Sequence, residues 1–460
     1  MFDEDFLQSV MRQTLSKGGD YADIFLEETR ETSIIFNDRK VASISTGIVQ
    51  GAGIRIITGK SYVYVYANNV DEDALLELAC QAAAAQKQGK AGTFAVLGHC
   101  ASRRLHEYKV LPGEVDLKEK IAILARVDEE ARCYSPLIAQ VSAGYFDTVQ
   151  TVNIATSEGR FVQDERIRTL LTVNAIAARG EEREKGHFDM AKSQGFEMFE
   201  TITPEAIARE AARTALVLLE ADDAPAGTMP VVIAKGSGGI IFHEACGHAL
   251  EASSVADDAS VFSGKLGTPI ASDCITAIDD GSLPGEHGSA AYDDEALEPR
   301  KNVLIERGVL KNYLVDRLGQ AKMGLPANGT GRRESYKFAP TSRMSNTYIA
   351  PGSCKEEELF HGIKLGLYCA RLGGGSVNPG TSDFNFSVQE AYLIENGKLT
   401  KPVKNATLIG KGTEILMKVD MVADTLELSA GSCGARSGII PVCTGQPAIR
   451  VHGLVVGGRQ

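Results

Sequence analysis

The chain has 460 residues, of which 43% are apolar and 23% charged, and we expect two or three domains because this length exceeds one ordinary core. Its net charge of −12 argues against nucleic-acid binding through phosphate contacts, which need a concentrated basic face. The N-terminus is acidic where a secretory signal would be basic, and there is no long uncharged apolar run. We therefore expect a cytoplasmic protein that binds neither nucleic acid nor membrane, with its nine cysteines as free thiols.

The first 87 residues combine two helices with a group of strands. Apolar residues at helical spacing predict a helix over Asp3–Lys17, and an Ala- and Leu-rich segment predicts another over Asp71–Gln86. The polar segment from Lys87 to about Val115 is typical of a linker. Alternating apolar residues between the helices predict strands at Ala22–Leu26, Ser33–Phe36, Ala52–Ile57 and Ser61–Tyr66.

The same pattern then follows a second time. A helix over Asp116–Arg132 precedes strands near 138–146, 148–155 and 167–175, and a further helix begins at Thr203-Pro204 and runs to Leu219. We expect one N-terminal α+β domain over 1–220. The repeated pattern allows, but does not require, a subdivision into similar halves, 1–87 and 116–220, since the halves share no detectable sequence identity.

A segment rich in Asp, Ala, Pro and Gly, Ala221–Gly227, predicts the boundary to a C-terminal domain over 228–460. Beyond it a short apolar strand, Pro230–Ala234, leads through Gly236-Ser-Gly-Gly239 into a stretch with two histidines. The glycines lack the G-K-[ST] ending of a phosphate loop. We interpret them as a strand-to-helix turn that allows close approach of the backbone.

The stretch His243-Glu244-Ala-Cys246-Gly247-His248 has the pattern H-E-x-x-x-H, one residue longer than the H-E-x-x-H signature of zinc peptidases. Five residues of regular α-helix would turn the two imidazoles about 140° apart. A single π-type turn restores their alignment, and Gly247 has no Cβ to resist the distortion. We predict a short helix, roughly Ile240 to Ala252, that is distorted near Gly247 and presents both histidines to one metal ion.

The rest of the chain is predicted as strands and long loops. Hairpins are expected at Asn302–Leu310 and Ala391–Leu399. Helices are expected near Asp316–Met323 and Lys355–Tyr368. The predicted fold class is α+β, with a mainly antiparallel β C-terminal domain that carries the short motif helix.

A catalytic zinc site usually takes three protein ligands and leaves the fourth position to water, so the two histidines need a third partner. Cys433 is the best candidate by chemistry, because the small residues around it would let a thiolate approach a metal. Cys246 lies three residues after His243, and Cys443 is also available. Spacing alone leaves the choice open. The alternative to a metal site is a pair of ordinary helix histidines that hydrogen-bond locally.

From about Thr228 to its end, the chain carries a series of recognisable segments. They are His243–His248, Asp293–Leu310, Arg332–Tyr336, Arg343–Gly352, Asp383–Ser387, Ala406–Gly410 and the Cys433 loop followed by Gly445–Pro447. With these segments the chain resembles the TldD/TldE (PmbA) family, once labelled modulators of DNA gyrase, and specifically its metal-bearing TldD-type branch. The first 220 residues match only in general pattern.

The resemblance implies that His243, His248 and Cys433 are the zinc ligands and that Glu244 is the catalytic base of a metallopeptidase. It also implies a flexible or unfolded peptide as substrate and an active site inside the cavity of a dimer. The dimer would be a heterodimer with a TldE/PmbA-type partner that lacks the histidine motif, or a homodimer. Nitrogen and sulfur ligands favour zinc, though other first-row ions can occupy such sites.

Several alternatives stay open at this point. Glu244 would otherwise be a ligand or an outer group that orients one. The segment Gly373–Gly380 and the pair Arg332 and Arg333 are either simple loops and solvated charge, or part of a groove in which an extended peptide pairs as an added strand. The N-terminal half offers no catalytic constellation and is assigned to assembly and peptide access. The alternative function is a metal-stabilised binding or scaffold subunit without turnover.

Overall fold

The computed structural model describes residues 2–68, 70–86, 92–100, 103–378 and 380–458. Helices and mostly antiparallel strands make up these ranges, which confirms the α+β class. Within the predicted linker over 87–115, residues 87–91 and 101–102 lie outside the described residues. The rest of it carries only a two-residue strand and a 3₁₀ turn. No helix in the described ranges is long and apolar enough to cross a lipid bilayer.

The long helices of the N-terminal half begin where the sequence pattern predicts. Asp3, Asp71 and Asp116 each accept a hydrogen bond from a backbone N–H of the first turn, and Pro204 occupies the first position of its helix. The helices, in chain order, are α1 (Glu4–Thr14), α2 (Glu72–Ala85), α3 (Leu117–Tyr134), α4 (Met198–Thr201), α5 (Pro204–Leu219), α6 (Ile240–Phe242), α7 (Ala252–Val255), α8 (Arg317–Met323) and α9 (Gly412–Ile415).

One antiparallel sheet spans the N-terminal half, with the order β3-β2-β1-β5-β6 and β7 paired to β6. Helices α1 and α2 pack mainly on the hairpin of β1 and β2, while α3 and α5 pack mainly on that of β5 and β6. The strands of both repeats of the helix–strand–helix pattern therefore form one continuous sheet. Its strands are β1 (Tyr21–Asn37), β2 (Lys40–Thr58), β3 (Ser61–Asn68), β4 (Gly98–His99), β5 (Ile138–Thr156), β6 (Arg160–Arg179) and β7 (Glu182–Lys192).

The C-terminal half builds two larger sheets around one apolar core. Its strands are β8 (Asp222–Asp223), β9 (Gly227–Ile233), β10 (Ala277–Asp280), β11 (Lys301–Glu306), β12 (Val309–Leu310), β13 (Gly331–Arg332), β14 (Thr341–Ser342), β15 (Asn346–Ile349), β16 (Leu365–Val377), β17 (Asp383–Glu395), β18 (Lys398–Lys404), β19 (Thr407–Lys411), β20 (Val419–Val422), β21 (Glu427–Ala435), β22 (Gly438–Gln446) and β23 (Ile449–Gly457). The first large sheet has the order β12-β11-β10-β15-β22-β21, and the second contains β9, β16, β17 and β23. Strand β21 is thus the outer strand of its sheet.

Close backbone contact fixes the motif helix against the β21–β22 hairpin. A 3₁₀ turn over Gly236–Gly239 joins β9 to α6, as the glycines predict. A Cβ on Gly239 would lie 2.3 Å from the backbone nitrogen of Gly445 in β22, so a side chain there would push the two segments apart. The motif consequently lies directly beside the strands that carry Cys433.

Two predictions about element lengths need correction. The helix predicted over Lys355–Tyr368 is wrong, because only a 3₁₀ segment forms at Glu356–Phe360 and β16 begins at Leu365, where it pairs with β9 and β17. The strands predicted at Ala22–Leu26 and Ser33–Phe36 are parts of the single strand β1, which pairs along its length with β2. The hairpins at Asn302–Leu310 and Ala391–Leu399 are confirmed.

Candidate metal centre

The motif adopts the distorted helix that its spacing predicts. After α6, residues His243–Gly247 form a π-turn, in which the N–H of His248 donates to the carbonyl oxygen of His243. A 3₁₀ turn over His248–Leu250 follows, and the backbone becomes extended at Glu251, slightly before the predicted end. The π-turn brings the two imidazole rings to a centroid distance of 5.1 Å at an interplanar angle of 86°.

Gly247 is required for a different reason from the predicted one. Its φ of −56° and ψ of −51° are ordinary helical values that any residue adopts, so its lack of a Cβ does not ease the π-turn. A Cβ at this position would lie 2.2 Å from Sδ of Met344. Glycine therefore allows Met344 to pack directly beneath the histidines.

Cys433 completes a three-residue group around the π-turn. It lies on β21 opposite Ile440 of β22, and its Sγ is 3.2 Å from Nε2 of His243 and 3.2 Å from Nε2 of His248. Ligand atoms of these three residues all lie within 4.8 Å of one another. The structure therefore brings together the three residues that the resemblance implies.

The competing cysteines point elsewhere. Cys246 lies in the C-terminal core, where its Sγ donates to the carbonyl of Gly412 at 3.5 Å and where burial raises the pKa of its thiol. Cys443 points at Glu286, with Sγ 3.7 Å from Oε2, and burial raises its pKa to about 12. Neither thiol faces the imidazoles, and both are free, as is Cys433.

The geometry and chemistry of the three residues fit a zinc ion. A tetrahedral zinc ion has bonds of about 2.3 Å to sulfur and 2.0–2.1 Å to nitrogen, which would place a ligand sulfur about 3.5 Å from a ligand nitrogen. The observed distance from Sγ of Cys433 to Nε2 of each histidine is 3.2 Å, close to this value. Burial, and then the charges of His248, Arg343 and Arg332, hold the pKa of His243 well below its usual value. A neutral imidazole is the form that binds a metal.

Glu251 and Arg343 hold two of these residues in place, and sequence reasoning missed both. The carboxylate of Glu251 accepts from Nδ1 of His248 at 3.2 Å, which leaves Nε2 directed at Cys433. Arg343 lies with Nε 3.9 Å from Glu251 and donates from Nη2 to the carbonyl of Cys433 at 2.6 Å. Burial lowers the pKa of His248, but Glu251 and Cys433 together hold it well above its usual value.

Glu244 extends from the π-turn into an open cleft. Its Oε2 is 3.8 Å from Nε2 of His248, and its side chain is 28% exposed. Burial raises the pKa of this carboxyl, against the opposing charge of His248. Glu244 thus stands beside the imidazole of His248, on the side that faces the cleft.

The cleft has a volume of about 240 Å³ and is lined by the motif and by residues of five strands, of which β7, β16 and β21 form the main walls. Ser429–Ser432 of β21 form one wall, Arg371 and the glycines after it in β16 form another, and His187 and Asp189 of β7 form the third. His187 and Asp189 belong to the N-terminal half, whose assignment to assembly and peptide access stays a prediction. Sequence reasoning could not place β7 here, because no local pattern links it to the motif.

The predicted alternative of solvated charge is wrong for Arg332 and Arg333, which are 8% and 4% exposed. Arg332 donates to the carbonyls of Met344 and Pro441. Arg333 pairs with Asp23 on β1 at 3.1 Å, so it joins the two halves of the molecule.

Three family models match the chain in order. They are described as PmbA/TldA metallopeptidase domain 1 over residues 22–86, the central domain over residues 111–219 and the C-terminal domain over residues 226–458. These matches extend the likeness into the N-terminal half, where the sequence motifs alone gave only a general pattern.

Curated relatives cover nearly the whole chain. A protein named metalloprotease TldD homolog from Haemophilus influenzae is 36% identical over 95% of this chain and 93% of its own. A zinc metalloprotease TldD homolog from Saccharolobus solfataricus is 28% identical over 96% of this chain and 97% of its own. The names of these relatives support a peptidase.

Solved structures share the fold. A Thermotoga maritima protein described as a candidate modulator of a DNA gyrase superposes with a TM-score of 0.80 at 21% identity, over 99% of this chain and 100% of its own. TldE from Thermococcus kodakarensis superposes with a TM-score of 0.77 at 19% identity, over 98% of this chain and 100% of its own. At these identities the likeness concerns the fold alone.

Proposed function

The chain belongs to the PmbA/TldA metallopeptidase family, and from that premise we propose that it is a zinc-dependent peptidase acting on flexible or unfolded peptide segments. The observation that carries the proposal is the convergence of His243, His248 and Cys433, with the carboxylate of Glu244 exposed beside them.

His243, His248 and Cys433 would hold the metal, and the N₂S ligand set favours zinc among the first-row ions. When bound, zinc would activate a water molecule and polarise the scissile carbonyl. Glu251 orients His248 through Nδ1, and Arg343 fixes the backbone of Cys433. Both contacts limit how far the ligand atoms can move apart.

Glu244 is the general base in this proposal. Its carboxylate takes a proton from the attacking water and passes it to the nitrogen of the leaving amine. Because burial raises the pKa of Glu244, its carboxyl is better matched to both halves of this transfer than an ordinary surface glutamate. A general base must be accessible to water and to the peptide, and the partial exposure of the Glu244 side chain gives this access.

The shape of the cleft suits an extended peptide. Strand β21 is the outer strand of its sheet, so its outward backbone groups are available to an added strand. A Cβ on Gly431 of β21 or on Gly374 of β16 would meet no atom within 4 Å, so the space beside these backbones is open. A flexible or unfolded segment can take up the extended backbone that such pairing needs, which supports this class of substrate.

The proposal also includes a cytoplasmic location and a dimeric assembly. We expect the chain to act as a dimer, with a TldE/PmbA-type partner subunit or with a second copy of itself. The shared fold of a TldE protein supports a partner of similar shape. A dimer that encloses the cleft would admit peptides by size and flexibility.

The test measures zinc content and cleavage of an unfolded peptide, with and without a TldE-type partner. We expect Glu244→Gln to retain near-stoichiometric zinc and to lose hydrolysis. Cys433→Ala should lose zinc, whereas the matched control Cys246→Ala should keep it, because only Cys433 faces the imidazoles. If the unmodified chain shows no hydrolysis with any partner, the scaffold alternative is correct. Full zinc occupancy in Cys433→Ala would exclude the proposed ligand set.

A further inference from the structure

A second cavity, of about 410 Å³, lies between the N-terminal sheet and the C-terminal half. Arg166 and Arg168 of β6 line one side of it, and His287 and Arg332 line the other. Ser432, the residue before Cys433, lines both this cavity and the metal cleft. Ser432 therefore places the cavity next to the cleft.

Arg168 is an unpaired cation in this cavity. Its Nε is buried without a hydrogen-bond partner, and the structure gives its guanidinium no hydrogen bond or ion pair within the described ranges. Burial, and then the charges of Arg166 and Arg332, lower the pKa of Arg168 to about 9. Arg166, in contrast, pairs with Asp164 at 3.0 Å and with Asp294 at 2.7 Å.

Arg332 adds a second cation that has only neutral partners. It is 8% exposed, and among the described residues it donates to the carbonyls of Met344 and Pro441 and forms no ion pair with a carboxylate. Burying a guanidinium without a counter-ion is unfavourable, so buried charges in proteins are normally paired. Arg332 is buried and Arg168 is half-buried, and two guanidiniums without a carboxylate partner among the described residues on one cavity indicate that an anion completes it.

His287 supplies a neutral donor between them. Its ring is buried, and Nδ1 has no hydrogen-bond partner. Burial, and then Arg168, Arg332 and Lys192, lower its pKa to about 3, so the ring carries one N–H and no charge at neutral pH. One of its nitrogens can therefore donate to an anion without adding to the repulsion.

The cavity wall also carries carboxylates, those of Glu27, Glu31, Asp147, Asp293, Asp294 and Glu334, and three of them accept hydrogen bonds from groups other than Arg168 and Arg332. Asp147 accepts from Nζ of Lys120 at 2.6 Å. Glu27 accepts from Gln150 at 2.8 Å and from a backbone N–H. Asp294 accepts from Arg166 and from the backbone N–H of Arg333.

We propose that this cavity is a carboxylate-binding site in which Arg168, Arg332 and neutral His287 bind a carboxylate group of the peptide substrate. The planar fork of a guanidinium matches the two oxygens of a carboxylate. The inference rests on the proposed peptidase function for the identity of the ligand, but the anion site itself stands on the unpaired cations. The group is either the C-terminal carboxylate of the peptide or an acidic side chain along it.

The experiment measures peptide binding by titration calorimetry with zinc-loaded Glu244→Gln protein, which does not turn over the peptide. Three unfolded octapeptides of otherwise equal sequence serve as probes: one with a free C-terminal carboxylate, one with a C-terminal amide, and one with a C-terminal amide and an internal aspartate. We expect the free-carboxylate peptide to bind roughly tenfold or more tightly than the plain amide. Arg168→Gln, added to the same protein, should remove the difference. Arg30→Gln is the matched control, because Arg30 is an exposed β1 residue that pairs with its neighbour Glu28 and does not line the cavity.

The outcomes separate the sources of the carboxylate. If the aspartate-containing amide also binds tightly and Arg168→Gln removes that advantage, the site takes an acidic side chain. A preference that survives in Arg168→Gln, or equal binding of all three peptides, would overturn the proposal. Arg168→Gln removes a half-buried charge without a carboxylate partner among the described residues, so we expect it to fold with an undiminished unfolding temperature.

A second measurement is independent of peptidase activity. Sodium acetate, compared with sodium chloride at equal ionic strength, should raise the unfolding temperature of the unmodified chain and of Arg30→Gln but not that of Arg168→Gln. If no peptide binds but acetate has this effect, the peptidase proposal fails and the carboxylate site remains. If neither peptide nor acetate distinguishes the variants, the carboxylate site is refuted.

Discussion

Removal of the Glu251 carboxylate should weaken zinc binding without removing a ligand. Glu251 is 3% exposed, accepts from Nδ1 of His248 at 3.2 Å and lies 3.9 Å from Nε of Arg343. In Glu251→Ala, His248 loses the partner that fixes its ring and tautomer. Removing a group that hydrogen-bonds to a metal-binding histidine typically weakens metal affinity by about 10- to 100-fold, which corresponds to about 1.4–2.7 kcal/mol.

The loss of zinc affinity should depend on the side chain that replaces Glu251. Glu251→Gln keeps an acceptor oxygen of similar reach but no charge, so its affinity should lie between those of the unmodified chain and Glu251→Ala. Glu306→Ala serves as the control, because Glu306 is exposed and pairs with Lys311 on the surface, where such pairs contribute about 0–1 kcal/mol.

The assay is competition for zinc with a chromophoric chelator, on protein whose folding is checked by circular dichroism. The expected order of affinity is unmodified chain and Glu306→Ala, then Glu251→Gln, then Glu251→Ala. A Glu251→Ala protein that is folded and binds zinc within about twofold of the unmodified chain would refute the reasoning, since His248 would then be positioned without its carboxylate partner.

Two further predictions concern stability. Gly247→Ala should destabilise the fold by about 1–3 kcal/mol, because its Cβ would lie 2.2 Å from Sδ of Met344; denaturant unfolding should show a smaller cost in a Met344→Ala background, and an equal cost in both backgrounds would contradict the clash. Burial raises the pKa of Asp279 to about 6, so the folded state favours its protonated form, and the stability present below about pH 4 is lost as the pH rises through 6. Asp279→Asn should therefore gain roughly 2–3 kcal/mol relative to the unmodified chain between pH 4 and pH 8, and a pH-independent difference in unfolding free energy would refute this assignment.

Predictions that depended on neighbours in the sequence were the most successful. The helix starts at Asp3, Asp71 and Asp116 and the π-turn at His243–Gly247 are confirmed. Each depends on hydrogen bonds between residues at most a few positions apart. The helix over Lys355–Tyr368 failed because its second part pairs with β9 and β17, and strand pairing with distant segments outweighed the local helical pattern.

The resemblance named the three candidate ligands, but the residues alone left Cys246, Cys433 and Cys443 as competitors. Cys246 is nearest in sequence, yet the π-turn directs its thiol into the core towards Gly412. The roles of Glu251, Arg343 and β7 had no sequence signal of their own, because each depends on which distant side chain lies opposite. The division into N-terminal and C-terminal domains stays a prediction.

The sequence by itself determined the distorted helix of H-E-x-x-x-H, since five residues cannot align two rings on a regular α-helix, and it determined the family. Only the tertiary structure decided that the thiol of Cys433 meets both imidazoles and that Arg168 is left without a counter-ion beside a cavity. The reason is physical: backbone hydrogen bonds within a turn are set by local order, whereas side chains far apart in the chain meet only after the sheets have packed.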